Sequence, residues 1–185
     1  MKKLYLLSGM IAFGVIVGVN ANETRRPETY SMLDVVVKDM NNINWTAVFA
    51  ALDLMPGIIN INEYRSKWGE TLLYMAAVQS ANFIAAKTLL ETYHANPNLG
   101  YRLGFKKKIE ETPLLGLLSR MAQRLHHVTR KNDLTMVKLL LLYGADPYMK
   151  DADGDAFWHV ERIEDTGEAS LAKQLLEILE PYRKK

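Results

Sequence analysis

The sequence contains no cysteine at any of its 185 positions. Disulfides, thiolate nucleophiles, Cys-ligated zinc sites and iron–sulfur clusters are therefore excluded. Small exported domains often rely on disulfides because their hydrophobic cores are small. This chain is instead 49% hydrophobic, which predicts a fold that is held together by apolar packing.

Catalytic and nucleotide-binding motifs are also missing. The sequence has no Gly-x-Ser-x-Gly turn, no phosphate-binding glycine loop and no His-Glu-x-x-His zinc motif. A nucleophile, a base and an orienting group cannot be nominated together. We therefore expect no enzymatic activity, no cofactor, no metal and no small-molecule substrate. Structural or solvent-exposed roles are expected for all four histidines, which are His94, His126, His127 and His159.

The first 21 residues have the order of a secretory leader. Met1-Lys2-Lys3 precedes an apolar run over 4–19, and Asn20-Ala21 follows it, which predicts cleavage after Ala21. An uncleaved membrane anchor is the alternative, although the run is shorter than the roughly 20 residues that span a bilayer. The sequence thus predicts an exported bacterial protein, periplasmic or secreted, that is a membrane-tethered scaffold only if the leader stays uncleaved.

Charge is balanced overall but unevenly distributed. Residues 22–185 carry 21 basic and 21 acidic side chains, which argues against a general nucleic-acid partner. Residues 99–131 hold eight basic groups against two acidic ones, whereas 132–185 hold 11 acidic groups against seven basic ones. The basic centre predicts another protein as the partner, one with an acidic surface.

Pairs of short helices recur along the chain. Apolar residues at helical spacing mark a first pair over 32–52. A helix is expected to start at Thr71, and Thr112 is placed to cap a following helix through its hydroxyl. Gly144 stands where a helix ends in a left-handed residue. The second helices of the later pairs are expected over 83–93, 136–143 and 171–179.

Three motifs in this pattern resemble the ankyrin repeat family. They are Thr112-Pro113-Leu114-Leu115, Gly144-Ala145-Asp146-Pro147 and Asp151-Ala152-Asp153-Gly154 followed by His159. The resemblance implies an all-α fold, a short ankyrin-type solenoid of about four helix–turn–helix repeats with protruding turns. It also implies a non-catalytic protein–protein interaction module, an adaptor or scaffold, in which His159 is structural and bonds neighbouring turns.

The expected organisation has four parts. They are a signal peptide over 1–21, a flexible segment over 22–30, the repeat domain over 31–180 and a basic tail over 181–185. The first repeat is degenerate, and insertions fall near 99–111 and 123–134. The predicted core consists of Leu72, Leu73, Ala76, Leu89, Leu90, Leu114, Leu117, Leu118, Val137, Leu140, Leu141, Leu175 and Leu176.

The predicted binding surface lies on the turns, because stacking places successive turn tips in one row. Aromatic and arginine side chains dominate binding hot spots, and consecutive lysines attract an acidic partner. The candidate residues are Trp68, Tyr101, Arg102, Phe105, Lys106, Lys107, Lys108, Tyr148 and Lys150. Two alternatives stay open. The segment 101–108 could be solvated surface with its aromatic rings tucked against the next repeat, and Trp68 could belong to the core.

Asp151, Asp153 and Asp155 alternate as at the start of a calcium loop. Ala156 and Arg162 stand where an EF-hand loop needs glycine and glutamate. A repeat turn accounts for Asp151 without any cation. A calcium-stabilised exported domain is therefore kept as an alternative to the interaction module.

Overall fold

A computed structural model describes residues 33–37, 43–102, 110–123 and 132–183. A helical turn over 33–36 comes first. The helices that follow are α1 (Trp45–Leu54), α2 (Leu72–Tyr74), α3 (Phe83–Glu91), α4 (Pro113–Gln123), α5 (Asp133–Leu142), α6 (Ala156–Asp165) and α7 (Ala169–Leu179). α2 continues directly into one π-helical turn (Met75–Gln79), and α7 continues into a 3-10 turn (Glu180–Tyr182).

Besides the helices, the described residues contain one short antiparallel strand pair. β1 (Tyr101–Arg102) pairs with β2 (Glu110–Glu111), and Tyr101 lies opposite Glu111. The prediction of an essentially all-helical fold is confirmed for the described residues. Within them no helix is long and apolar enough to cross a membrane. The predicted leader over 1–21 and the segment over 22–30 lie outside the described residues.

Polar side chains cap the starts of five helices, α1, α2, α3, α4 and α6. Thr71 Oγ1 accepts a hydrogen bond from the backbone N–H of Tyr74 (3.1 Å), and Thr112 Oγ1 accepts one from Leu115 (3.3 Å). The cap at Thr112 is predicted from the sequence, and each of the two satisfies a backbone donor that the helix leaves unpaired. Equivalent caps at α1, α3 and α6 come from Asn44, Asn82 and Asp155.

The second helix of each later pair also lies close to its predicted position. α3, α5 and α7 begin and end within three residues of the predicted ranges. The largest difference is at α5, which starts at Asp133 rather than at Met136. A carboxylate in the first turn of a helix is favoured by the partial positive charge at the N-terminus, which explains the earlier start.

Apolar side chains of successive helix pairs form a continuous core. α4 packs against α5 in its own pair, against the π-helical turn of the preceding pair and against α6 of the following pair. Every predicted core residue is buried except Leu176, which is partly exposed. A helix pair of this size cannot bury its apolar face alone, so each pair depends on its neighbours for stability.

Successive loops are joined by the side chain of an asparagine. Asn98 Oδ1 accepts a hydrogen bond from the N–H of Asp146 (2.7 Å), and Asn98 Nδ2 donates to the carbonyl oxygen of Gly144 (2.9 Å). Asn62 makes the same two bonds one loop earlier. Its Oδ1 accepts from the N–H of Asn96 (2.7 Å), and its Nδ2 donates to the carbonyl oxygen of His94 (3.3 Å). The same bonds at successive loops place these loops in equivalent positions.

Candidate functional site

Three turns each precede the first helix of a pair, and they carry the predicted binding residues. In the first, Ser66 Oγ accepts hydrogen bonds from the N–H groups of Trp68 and Glu70 (3.2 Å each). In the third, Asp151 Oδ1 accepts them from Asp153 (2.9 Å) and Gly154 (3.0 Å). The second turn is formed by the strand pair β1–β2, which precedes α4. Because the helices that follow these turns pack side by side, the turns succeed one another along one side.

Trp68, in the first turn, is neither fully buried nor fully free. Its side chain is 37% exposed, and Lys67 Nζ lies 4.1 Å from the ring centroid. Such a cation over an indole face is attracted by the ring electrons. A cavity of about 100 Å³ opens beside the ring, lined by Asp34, Val37, Tyr64, Ser66, Lys67 and Trp68. A partly exposed tryptophan beside a cavity has the form of a binding anchor.

Tyr101, in β1, is partly buried. Its ring centroid lies 5.8 Å from that of Tyr74 in α2, with 34° between the ring planes. The ring thus packs on the preceding helix pair, and its remaining surface is open to solvent. Arg102 completes β1. Phe105 and Lys106, Lys107 and Lys108 lie outside the described residues.

Tyr148 and Lys150 lie in the loop that leads to the third turn. The ring of Tyr148 packs on that of Phe157 in α6, with the centroids 5.4 Å apart, and the side chain is partly exposed. Lys150 is exposed. Tyr148 follows Asp146 as Asn98 follows Asn96, so it occupies the loop position of the bridging asparagines.

The first turn also contains a buried carboxylate. Glu70 is 3% exposed, and its carboxylate accepts hydrogen bonds from Gln79 Nε2 (2.8 Å) and Ser66 Oγ (3.3 Å). Burial raises the pKa of Glu70 above its ordinary value, and the two hydrogen bonds oppose this effect. The side chain therefore anchors the turn to the π-helical turn at the cost of burying a charge.

Further polar side chains bond to the second and third turns from helices. Tyr74 Oη donates to Glu111 Oε2 (2.8 Å), and His159 Nε2 lies 2.9 Å from Asp151 Oδ2. Burial raises the pKa of Glu111, and the nearby charge of Asp151 adds to the increase. Burial likewise raises the pKa of the Tyr74 hydroxyl.

His159 is 2% exposed and bonded within its own turn. The buried ring has a structural position, as the resemblance implies, but its observed hydrogen bond joins Asp151 of the same turn and not a neighbouring turn. The paired histidines of the sequence, His126 and His127, lie outside the described residues. His94 is exposed at the end of α3.

The alternating aspartates have separate uses in the structure. Asp151 binds backbone donors of the turn and His159, whereas the Asp155 carboxylate caps α6 by accepting from the N–H groups of Phe157 and Trp158 (3.1 Å each). Among the described residues, no group of three or more acidic or histidine side chains could hold a metal ion. The pattern that suggested a calcium loop is thus explained by a turn and a helix cap.

Trp158 and Arg162 are not among the binding residues that the sequence predicts. Trp158 is 37% exposed on α6, and the Arg162 guanidinium carbon lies 5.7 Å from its ring centroid. They border a cavity of about 200 Å³ between α4 and α6, lined by Ser119, Ala122, Gln123, Asp153, Trp158, His159, Arg162 and Thr166. The sequence contains a usable sign, because Trp158 stands where the corresponding helix starts have Leu73 and Leu114.

A family model of the ankyrin repeat matches residues 125–152 of this chain. In the described part, the match spans α5, the loop with Gly144 and Asp146, and the beginning of the third turn. Among curated proteins, no match to this chain is found. The ankyrin repeat is a helical repeat that mediates binding to other proteins and is typically non-catalytic. The match thus suggests a protein–protein interaction module, and the helical fold of the described residues is compatible with an ankyrin-type helical repeat.

Proposed function

We propose that this protein is an exported adaptor or scaffold, and that its turns bind another protein. The observation that carries the proposal is the repeated bonding of Asn62 and Asn98 to the next loop, together with the ankyrin match at 125–152. Repeats of this kind bind partners on surfaces that several neighbouring units share. The proposed role is non-catalytic.

The proposed architecture is an ankyrin-type solenoid of about four repeats. Its units would be the turn at 33–36 with α1, α2 with α3, α4 with α5, and α6 with α7. The contacts of α4 with the pairs on both sides support this order. The first unit would be the degenerate terminal repeat. The insertions would lie in the long connections near 99–111 and 123–134.

The proposed contact surface includes Trp68, Tyr101, Tyr148 and Lys150. Each is at least partly exposed, and all belong to turns or loops on successive units. Arg102 and the segment with Phe105 and Lys106 to Lys108 are included from the sequence alone. The excess of basic residues over 99–131 supports a partner with an acidic surface, since opposite charge accelerates encounter.

Export is proposed from the leader over 1–21, which has the residue order of a cleaved signal peptide. N-terminal sequencing of the protein from its own cell tests this point. A mature chain that begins at Asn22 supports export with cleavage. A chain that retains Met1 and remains with the membrane supports the tethered alternative.

The contact surface is tested by site-specific crosslinking in the native cell. A photoreactive amino acid replaces Trp68, Tyr101 or Lys150, and the crosslinked proteins are identified by mass spectrometry. Lys173, which is exposed on α7, provides the control position. We expect the same partner at the three turn positions and not at Lys173. Equal crosslinking from Lys173, or no shared partner among the turn positions, would contradict the proposed surface.

A further inference from the structure

We propose that Tyr74 and Glu111 are positioning residues, which hold β1 in place so that Tyr101 is presented on the contact surface. The contact role of Tyr101 rests on the proposed function. The position of β1 is a property of the fold, and it can be measured without any partner. Tyr74 and Glu111 are not expected to touch the partner themselves.

The strand pair is too short to hold its own position. β1 and β2 contain two residues each, whereas even a longer isolated two-stranded hairpin is marginally stable in water. Contacts from outside the pair must therefore fix it. Thr71 gives one such contact, because its hydroxyl donates to the carbonyl oxygen of Leu99 (3.2 Å), two residues before β1.

Tyr74 contacts both strands at once. Its ring packs on Tyr101 in β1, and its hydroxyl donates to Glu111 in β2. The ring itself is held by α4, where a Cβ at Gly116 would come within 2.8 Å of the Tyr74 ring. Real Cβ contacts are essentially never that short, so a side chain at position 116 would displace the ring. One residue of α2 thereby sets the place of the whole strand pair.

Glu111 is equally well fixed. It lies opposite Tyr101 in the strand register, and the next residue, Thr112, caps α4. A Cβ at Gly100 would overlap the Glu111 carbonyl oxygen, so the two strands approach closely here. The charged or titratable groups that face its carboxylate are Tyr74, Asp151, His159 and Asp153. Of these, Tyr74 donates the hydrogen bond that binds the side chain to α2.

The test is amide hydrogen exchange over 99–102 and 110–112, compared between the protein and its Tyr74→Phe variant. The variant keeps the ring and removes the hydroxyl. We expect exchange in both segments to be at least about tenfold faster. The matched control is Tyr143→Phe, which removes a comparable bond, from Tyr143 Oη to Glu91 Oε1 (2.7 Å), in another part of the fold. We expect this control to leave both segments unchanged.

Two results would overturn the proposal. One is unchanged exchange at both segments in Tyr74→Phe. The other is an equal acceleration in Tyr143→Phe, which would show a general loss of stability rather than local release. A merely structural role of Tyr74 would accelerate exchange throughout α2 and α4 to the same extent, so those helices are measured in the same experiment.

Glu111 variants provide the test if Tyr74→Phe does not fold. Glu111→Ala removes the acceptor and should release both segments, whereas Glu111→Gln retains an oxygen that can accept from Tyr74 and should keep them protected. Equal exchange in these two variants would overturn the proposal. The crosslinking experiment judges the contact role of Tyr101 separately, so a missing partner would not be confused with a misplaced strand.

Discussion

At the scale of single residues, Glu70 shows how burial makes stability depend on pH. Its folded-state pKa lies above the ordinary value of 4.5 because the carboxylate is buried. Below pH 4.5 the side chain is neutral in both the folded and the unfolded chain, and its burial costs least. As the pH rises through the folded-state pKa, the buried group ionises and the free energy of unfolding falls.

Glu70→Gln is therefore expected to raise the free energy of unfolding at pH 7. The amide has nearly the same size and stays neutral, and its oxygen can still accept from Gln79 Nε2. The advantage should disappear below pH 4.5, where the native side chain is neutral as well. Urea denaturation at both pH values measures the effect, with Glu177→Gln on the exposed face of α7 as the control. A variant that is less stable than the native protein at pH 7 would refute this interpretation.

Two equivalent loop residues differ in backbone strain. Gly144 has φ 88°, and His94, which holds the same place after α3, has φ 53°. Positive φ costs a residue with a side chain roughly 1–2 kcal/mol, whereas glycine adopts it without a steric penalty. His94→Gly should therefore stabilise the protein, by less than this cost because glycine also makes the unfolded chain more flexible.

Gly144→Ala is expected to act in the opposite direction, with a loss of about 1 kcal/mol. An added Cβ there meets no atom within 4 Å, so any loss would come from the backbone alone. Thermal and urea unfolding measure whether the free energy of unfolding rises in His94→Gly and falls in Gly144→Ala. A stabilising Gly144→Ala would show that the left-handed position is not a source of strain.

At the scale of elements, the sequence predicts what is local and fails where contacts cross between units. Thr71 and Thr112 each bond a backbone N–H three residues further along the chain, so a cap of this kind can be predicted from the adjacent sequence. The bond from Tyr74 to Glu111 joins residues 37 positions apart, and no local rule connects them. The place of Trp158 at a helix start is visible in the sequence, but its partial exposure depends on how α6 packs beside α4.

The bridging asparagines are expected to contribute to the stacking of loops. Asn98→Ala removes two hydrogen bonds to the next loop. Net contributions of about 0.5–1.5 kcal/mol per bond predict a loss of about 1–3 kcal/mol. Exchange of the Asp146 amide should accelerate more than that of the α7 amides. Gln174→Ala, on the exposed surface of α7, should cost almost nothing. An equal loss of stability in Asn98→Ala and Gln174→Ala would contradict the bridging role of Asn98.

At the scale of the whole molecule, cooperativity should depend on the central unit. In a repeat array, stability is close to a sum of unit terms and nearest-neighbour interface terms. α4 contacts the pairs on both sides, so the interfaces at α4 connect the two ends of the chain. Weakening α4 should therefore reduce the coupling between the ends as well as the total stability.

Leu118→Ala tests this coupling, because Leu118 is fully buried in α4. Removing a buried leucine side chain costs about 2–5 kcal/mol. Variants that keep only Trp68 or only Trp158 report on the first turn and on α6 through fluorescence, with the other tryptophans changed to phenylalanine. Without Leu118→Ala, both reporters should unfold at the same urea concentration. With it, the two midpoints should separate, since each end would unfold with its own unit. Leu175→Ala, in the last helix, should lower the Trp158 midpoint more than the Trp68 midpoint when it is combined with Leu118→Ala, and should lower both equally without it. Coincident midpoints in Leu118→Ala would mean that one closed core, rather than stacked pairs, holds the molecule together.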